Sequence, residues 1–301
     1  MNYSDAFDGF LSNCKNRGLS EHTQRAYFCD LSDFQHWMVR ERITNVDKFT
    51  IRKWITDMQR RNLSPASIKR RVACLKATFK WLEEEEMLED NPFQNYHAEI
   101  RIPKTLPKSL SRLEMTALFK EAAQAAIHDN DISEQTFWIA LEILFSTGVR
   151  VSELCEIQLC DLDLESGTVL IHGKGNRERI VYIVDSNVRN LLKNYYKTRI
   201  KIPTIVENFL ITKRHTPASP DFIRRNLHKV TRRAKISRRV TPHMIRHSTA
   251  THLLESGVDI RFVQKLLGHS SISTTEIYTH VSNMSLQATL KKANPRRYIN
   301  A

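Results

Sequence analysis

Tyr278 sits near the end of the chain in the run Thr274-Thr275-Glu276-Ile277-Tyr278-Thr279-His280. Alone it reads as an ordinary half-buried amphipathic side chain. A phenol titrates near pH ~10, so to act as a nucleophile it needs a base and fixed positive charge beside it. Groups of that kind recur upstream. His243 and Arg246 stand at i and i+3, on one helix face. That spacing suits a phosphate, with the guanidinium forked onto its oxygens and the imidazole handling a proton. It also suits a capping His beside a surface Arg. His243 and His247 have the i, i+4 spacing of a zinc helix, but Met-Ile-Arg between them lacks the glutamate of HExxH and puts a cation at the metal. Gly173-Lys174-Gly175-Asn176 lacks the GxxxxGK[ST] pattern and joins two β-rich runs, so it is a hairpin turn projecting one lysine, a mobile proton donor or a solvated charge. Arg150, in Thr147-Gly148-Val149-Arg150-Val151-Ser152-Glu153-Leu154, follows an apolar helix and needs a partner, either a phosphate or Glu153. Ser152 is placed to cap a helix. Leu266-Leu267-Gly268-His269-Ser270 puts a histidine just past a helix end.

The elements that must position these residues are mostly helices. An opening helix runs through Phe7, Phe10 and Leu11. Ser20 caps a second, with Tyr27, Leu31, Phe34 and Met38 on one face, and Thr50 is placed to cap a third, with Ile51, Trp54, Ile55 and Met58 inward. Ser64-Pro65 is a cap followed by proline at the first helical position. The helix after it places Ile68, Val72, Leu75, Phe79 and Leu82 on one stripe and Lys69, Arg70, Arg71, Lys76 and Lys80 outside it. A four-helix bundle results. Three prolines in a basic, aperiodic stretch, Pro92 to Pro107, read as an extended linker. This places a helical domain at 1–100, a linker at 101–107 and a second domain at 108–301. The second domain opens on a capping box, Ser111-x-x-Glu114, and continues helically through Leu118 and Ala122, then Trp138, Leu141 and Leu144. Thr168–His172 and Arg179–Val184 form a hairpin, with Phe209–Thr212 a candidate third strand. Ser219-Pro220, Thr241-Pro242 and Asp259 start further helices, and Gly257 and Gly268 stand at helix stops. The fold class is therefore mainly α, with a small antiparallel sheet in the second domain.

Composition narrows the partners. The 301 residues carry a net charge of +13, unevenly spread. Residues 1–105 hold 17 Lys+Arg against 15 Asp+Glu, and residues 106–301 hold 29 against 18. A basic domain of that kind either attracts polyanions, nucleic acid first among them, or is a soluble basic surface without such a role, and composition does not separate the two. The five cysteines, Cys14, Cys29, Cys74, Cys155 and Cys160, are odd in number and scattered. They form neither a disulfide framework nor a zinc ribbon, and read as buried free thiols. Glu83–Glu86 is a solvated charge run. No apolar run is long enough for a bilayer and the N-terminus has no signal-peptide core, so a cytoplasmic, nucleoid-associated protein with no membrane partner is expected.

Taken together, these residues resemble the signature boxes of the tyrosine recombinases, the phage integrase family. Residues 147–154 resemble its first box, Gly173 to Arg179 its hairpin box, His243-Met-Ile-Arg246-His247 its His-x-x-Arg box, and the runs holding His269 and Tyr278 its last, all in family order. The Leu-Pro-Lys-Ser-Leu-Ser linker is similar to that of Xer-like two-domain members. Tyr182 departs from the proline of many relatives, and His269 from the tryptophan of some. The resemblance implies a SAM-like core-binding domain that clamps DNA, followed by the catalytic fold. It implies cleavage and rejoining of DNA through a 3′-phosphotyrosine on Tyr278 and strand exchange through a Holliday junction. Integration, excision, inversion and dimer resolution are the outcomes of such exchange. Arg150 and Arg246 would clamp the phosphate, Lys174 protonate the leaving oxygen, His243 accept the tyrosine proton and His269 support the transition state. No cofactor and no metal are implied. The partners would be double-stranded DNA with paired inverted-repeat sites and a homotetramer, or a heterotetramer with a related recombinase, with the C-terminal segment docking in trans. The basic helix Pro220–Ala234, with Arg224, Arg225, Lys229, Arg232 and Arg233, is expected to touch DNA, as are Lys69, Arg70 and Lys76. A type IB topoisomerase and a DNA-binding regulator on the same fold are the alternatives.

Overall fold

The computed structural model describes residues 2–94, 96, 100–101, 109–129, 131–173 and 177–268. The chain divides into two compact units, 1–105 and 106–301.

The first unit is four helices: α1 (Tyr3–Asn16), α2 (Glu21–Arg40), α3 (Lys48–Arg60) and α4 (Pro65–Glu84). Ser20 caps α2 and Ser64 caps α4, with Pro65 in its first turn. The cap of α3 is Asp47 rather than Thr50, whose backbone N–H donates to the Asp47 carboxylate at 2.7 Å. A carboxylate is the stronger acceptor at a helix N-terminus, so the helix starts three residues earlier. The apolar stripes of α2, α3 and α4 meet on Phe34, Trp54, Ile51, Leu75 and Phe79, all fully enclosed. Phe34 and Trp54 pack edge to face with centroids 4.7 Å apart.

The second unit is built around α6 (Ile132–Thr147), a largely apolar helix with no fully exposed residue, because other elements surround it. Helices α5 (Arg112–Asp129), α8 (Ser186–Arg199), α9 (Pro220–Arg233) and α10 (Pro242–Glu255) pack on α6. Two shorter helices, α7 (Val151–Glu156) and α11 (Ile260–Leu267), complete the α-helical set among the described residues. The capping box of α5 forms as the sequence predicts, with the Ser111 N–H on Glu114 at 2.8 Å and the Glu114 N–H on the Ser111 hydroxyl at 3.2 Å.

The sheet is antiparallel in the order β1 (Leu162–Asp163), β2 (Thr168–Gly173), β3 (Arg177–Tyr182). Val169 pairs with Val181 and Ile171 with Arg179 on its inner face, while Ile180 and Tyr182 face outward. The third strand is thus β1, not Phe209–Thr212. Residues Phe209, Leu210 and Ile211 are fully buried, and the segment from Asn208 to Ile211 is bridged only singly, at Asn208 with Gln158 and at Ile211 with Pro217. A short apolar run looks the same in either role. Three cysteines are buried as expected, but Cys29 and Cys160 are exposed; all five are free thiols.

Candidate active site

The site grows from the turn between α6 and α7. Gly148 ends α6 at φ 65°, its N–H on the Leu144 carbonyl. A Cβ built there would lie 2.6 Å from Leu267 Cδ2 and 3.5 Å from Thr249 Cγ2. Only glycine therefore admits the close approach of α10 and the end of α11, and only glycine holds that φ without strain. Two residues on, Arg150 is the N-cap residue of α7, a place the sequence suggests for Ser152. Its backbone N–H donates to Glu153 Oε2 at 2.8 Å and its guanidinium to Glu153 Oε1 at 2.7 Å.

Three guanidiniums converge on the C-terminus of α11. Arg179 Nε donates to the Leu266 carbonyl at 3.3 Å, Arg246 Nη2 to that of Leu267 at 2.7 Å and Arg150 Nη2 to that of Gly268 at 3.4 Å. Arg246 also donates to the Gly148 carbonyl at 2.6 Å. The last carbonyls of a helix have no intrahelical donor and carry partial negative charge, so cations gather there. The arrangement fixes Arg246, which is only 5 % exposed, between the α6 turn and the α11 end. Arg150 differs: its side chain keeps 40 % of its surface open and can meet an anion from solution.

The charges are tuned to match. Burial would raise the Glu153 carboxyl, but the hydrogen bonds from Arg179 and Arg150 outweigh it and hold it at about 2. Burial lowers His243 below the ordinary histidine value, and Arg246, Arg150 and Arg224 lower it further. A neutral imidazole beside fixed cations can accept a proton at neutral pH. His247 is lowered too, by burial first and then by His243 and Arg246. Among the described residues, no three His, Cys, Asp or Glu side chains come together as a metal site would need.

Of the six residues with expected chemical roles, Arg150, His243 and Arg246 share this site. Lys174, His269 and Tyr278 lie outside the described residues. Helix α9 exposes Arg224, Arg225, Lys229, Arg232 and Arg233. Lys229 is ion-paired with Glu134 and Arg224 with Asp221 at 2.5 Å, and both cations stay about half exposed. In the first unit Lys69 and Lys76 point to solvent from α4. Arg70 pairs with the buried Asp30 while its side chain stays half exposed, and Arg71 turns onto Asp33, because α2 presents both carboxylates to α4. Arg71, assigned by the sequence to the outer face, is 18 % exposed. Arg179 is the site residue that the helix and motif patterns did not single out. Its signal was a charged residue in step with Val181 and Ile183 on the inward face of a strand, where alternation demands an apolar side chain.

The phage integrase family model matches residues 108–284, and the model of the phage integrase N-terminal SAM-like domain matches residues 6–86. A tyrosine recombinase of Agathobacter rectalis is 33% identical over 301 residues, covering 98% of this chain and 98% of that protein. The tyrosine recombinase XerC of Listeria innocua is 36% identical, covering 93% of this chain and 94% of its own. Among solved structures, the XerH site-specific recombinase bound to its difH substrate before cleavage superposes with a TM-score of 0.73 at 24% identity, covering 93% of this chain and 82% of that one.

Proposed function

This chain belongs to the phage integrase family of tyrosine recombinases and is a site-specific recombinase, and from that premise we propose which residues carry the chemistry. Tyr278 attacks the scissile phosphorus. The Tyr278 Oη–P bond forms, the P–O5′ bond breaks, and the DNA 3′ end is left on the enzyme. The phenol proton passes to His243, and Lys174 delivers a proton to the departing 5′ oxygen. Arg150 and Arg246 hold the non-bridging oxygens, where negative charge builds in the transition state, and His269 donates to the same oxygens. The phosphotyrosine retains the energy of the phosphodiester, so a 5′ hydroxyl rejoins the strand without a nucleotide cofactor. The observation that carries this reading is the meeting of Arg150, Arg246 and a neutral His243 at the end of α11, with Gly268 directly preceding His269 in the chain.

The substrate is double-stranded DNA with paired inverted-repeat sites. Exchange of two duplexes requires four active sites, so the working form is a tetramer on a Holliday junction, either of this chain alone or shared with a related recombinase. It works in the cytoplasm, on the nucleoid, where that DNA lies. Lys69 and Lys76 on α4 and Arg225, Arg232 and Arg233 on α9 contact phosphates, which position the protein without reading sequence. Arg224 and Lys229, also exposed on α9, and Arg70 on α4 join them.

The test is covalent trapping on a nicked suicide substrate. Wild type gives a protein–DNA adduct joined at the 3′ phosphate. Tyr278→Phe gives none while retaining site binding. An adduct from the Phe variant would overturn the assignment of the nucleophile, and relaxation of plasmids with no target site would favour a topoisomerase instead.

A further inference from the structure

Arg179 stands on β3 opposite Ile171, on the sheet face that is otherwise buried. Its side chain is 17 % exposed. A guanidinium in that place is costly unless its donors are used. Here they are. Nη1 reaches Glu153 Oε1 at 3.1 Å, Nη2 reaches Oε2 at 2.7 Å, and Nε reaches the Leu266 carbonyl at 3.3 Å. The backbone of Gly268 lies against the same group: a Cβ there would sit 3.2 Å from Arg179 Nε and 3.3 Å from Cζ.

Glu153 consequently carries four hydrogen bonds. Oε1 accepts from the guanidiniums of Arg150 and Arg179, and Oε2 accepts from the Arg150 backbone and from Arg179. Two guanidiniums share one carboxylate, which leaves one net positive charge. Glu153 is buried, and Arg150 is the open member of the trio, so the surplus faces solution through Arg150. Remove Arg179, and Glu153 and Arg150 become a neutral pair.

We infer that Arg179 is a positioning residue of this site: by forking onto Glu153 it leaves the charge of Arg150 uncancelled for the scissile phosphate, and it ties β3 and the end of α11 to Arg150. The inference rests on the reading of Arg150 as a phosphate clamp and adds the residue that keeps the clamp cationic. A bracing role alone would also use these contacts, but it would not depend on the charge of Glu153.

The experiment is single-turnover cleavage of the nicked suicide substrate by wild type, Arg179→Gln, Arg179→Lys, Glu153→Gln and the double variant Glu153→Gln/Arg179→Gln. Tyr278→Phe sets the background, and binding of the intact site is measured in parallel. Arg179→Gln should cleave roughly 100-fold slower, the scale seen when one donor to a developing oxyanion is lost, with site binding little changed. Arg179→Lys should lie between it and wild type, keeping the charge but not the fork. The double variant, in which no carboxylate remains to neutralise Arg150, should recover to within about 10-fold of wild type. A double variant as slow as Arg179→Gln, or an Arg179→Gln enzyme as fast as wild type, overturns the inference. If Arg179→Gln fails to fold, Glu153→Gln against the double variant decides: with no carboxylate left to neutralise Arg150, loss of Arg179 should cost less than about 10-fold, and a further loss near 100-fold overturns the inference. If wild type itself gives no Tyr278-dependent adduct, the proposed catalytic assignment fails, and this inference with it.

Discussion

Gly148→Ala should damage this protein through two separable effects. The backbone at Gly148 has φ 65°, and an L side chain in the left-handed region costs about 1–2 kcal/mol. The new Cβ would also lie 2.6 Å from Leu267 Cδ2, so this fully buried side chain must leave its rotamer or the end of α11 must move. Forcing a methyl into a filled core costs about 1–3 kcal/mol more. Gly257 is the internal control. It sits in the same unit at φ 88° with nothing within 4 Å of its Cβ position. Gly257→Ala should therefore lose only the backbone part, about 1–2 kcal/mol. Thermal and urea unfolding of both variants checks this, with each kcal/mol worth about 2–4 °C in Tm for a unit of this size. The functional consequence should diverge further. The carbonyls of Gly148 and Leu267 are both acceptors for Arg246, so the clash falls between the two residues that fix this guanidinium. A misplacement near 1 Å costs on the order of 100-fold in rate, and single-turnover cleavage by Gly148→Ala should fall accordingly while Gly257→Ala stays near wild type. Equal stability loss in the two variants, or undiminished cleavage by Gly148→Ala, would refute the steric argument.

Other outcomes rest on particular contacts. Glu153 is held at about 2, against 4.5 for an unperturbed carboxyl. A lowered folded value stabilises above the unfolded value and is lost as pH falls through the folded one, so about 3 kcal/mol should disappear between pH ~5 and ~2. Acid unfolding of wild type beside Glu153→Gln should show their stability gap closing over that window. Lys69→Ala and Lys76→Ala should each weaken binding across all DNA sequences and reduce the salt slope by about 1, measured by titration at several salt concentrations. Arg199, fully buried, donates to the carbonyls of Val206 and Asn208. Arg199→Met should lose about 3 kcal/mol or more by leaving those acceptors unpaired, seen as a lower Tm of the second unit.

Much of this protein was legible in its chain. Helix starts at Ser20, Ser64, Ser219, Thr241 and Asp259 were fixed by short polar side chains that satisfy the first N–H groups, an effect acting over a few residues. The stripe from Ile68 to Leu82 declared its buried face by its spacing alone. Arg150, His243 and Arg246 could be chosen by residue type and order. Tertiary structure decided what no local rule contains. It put the third strand at Leu162–Asp163 and sent Phe209–Ile211 into the core, since apolar runs of that length fit either role. It turned Arg71 inward, tied both Arg70 and Arg71 to carboxylates on another helix, and paired Lys229 with Glu134 across 95 residues. It gathered Arg150, Arg179 and Arg246 on three consecutive carbonyls at the end of α11. Charge acts through space rather than along the chain, so which guanidinium is neutralised, which is buried and which remains open to a phosphate is settled only when the elements pack.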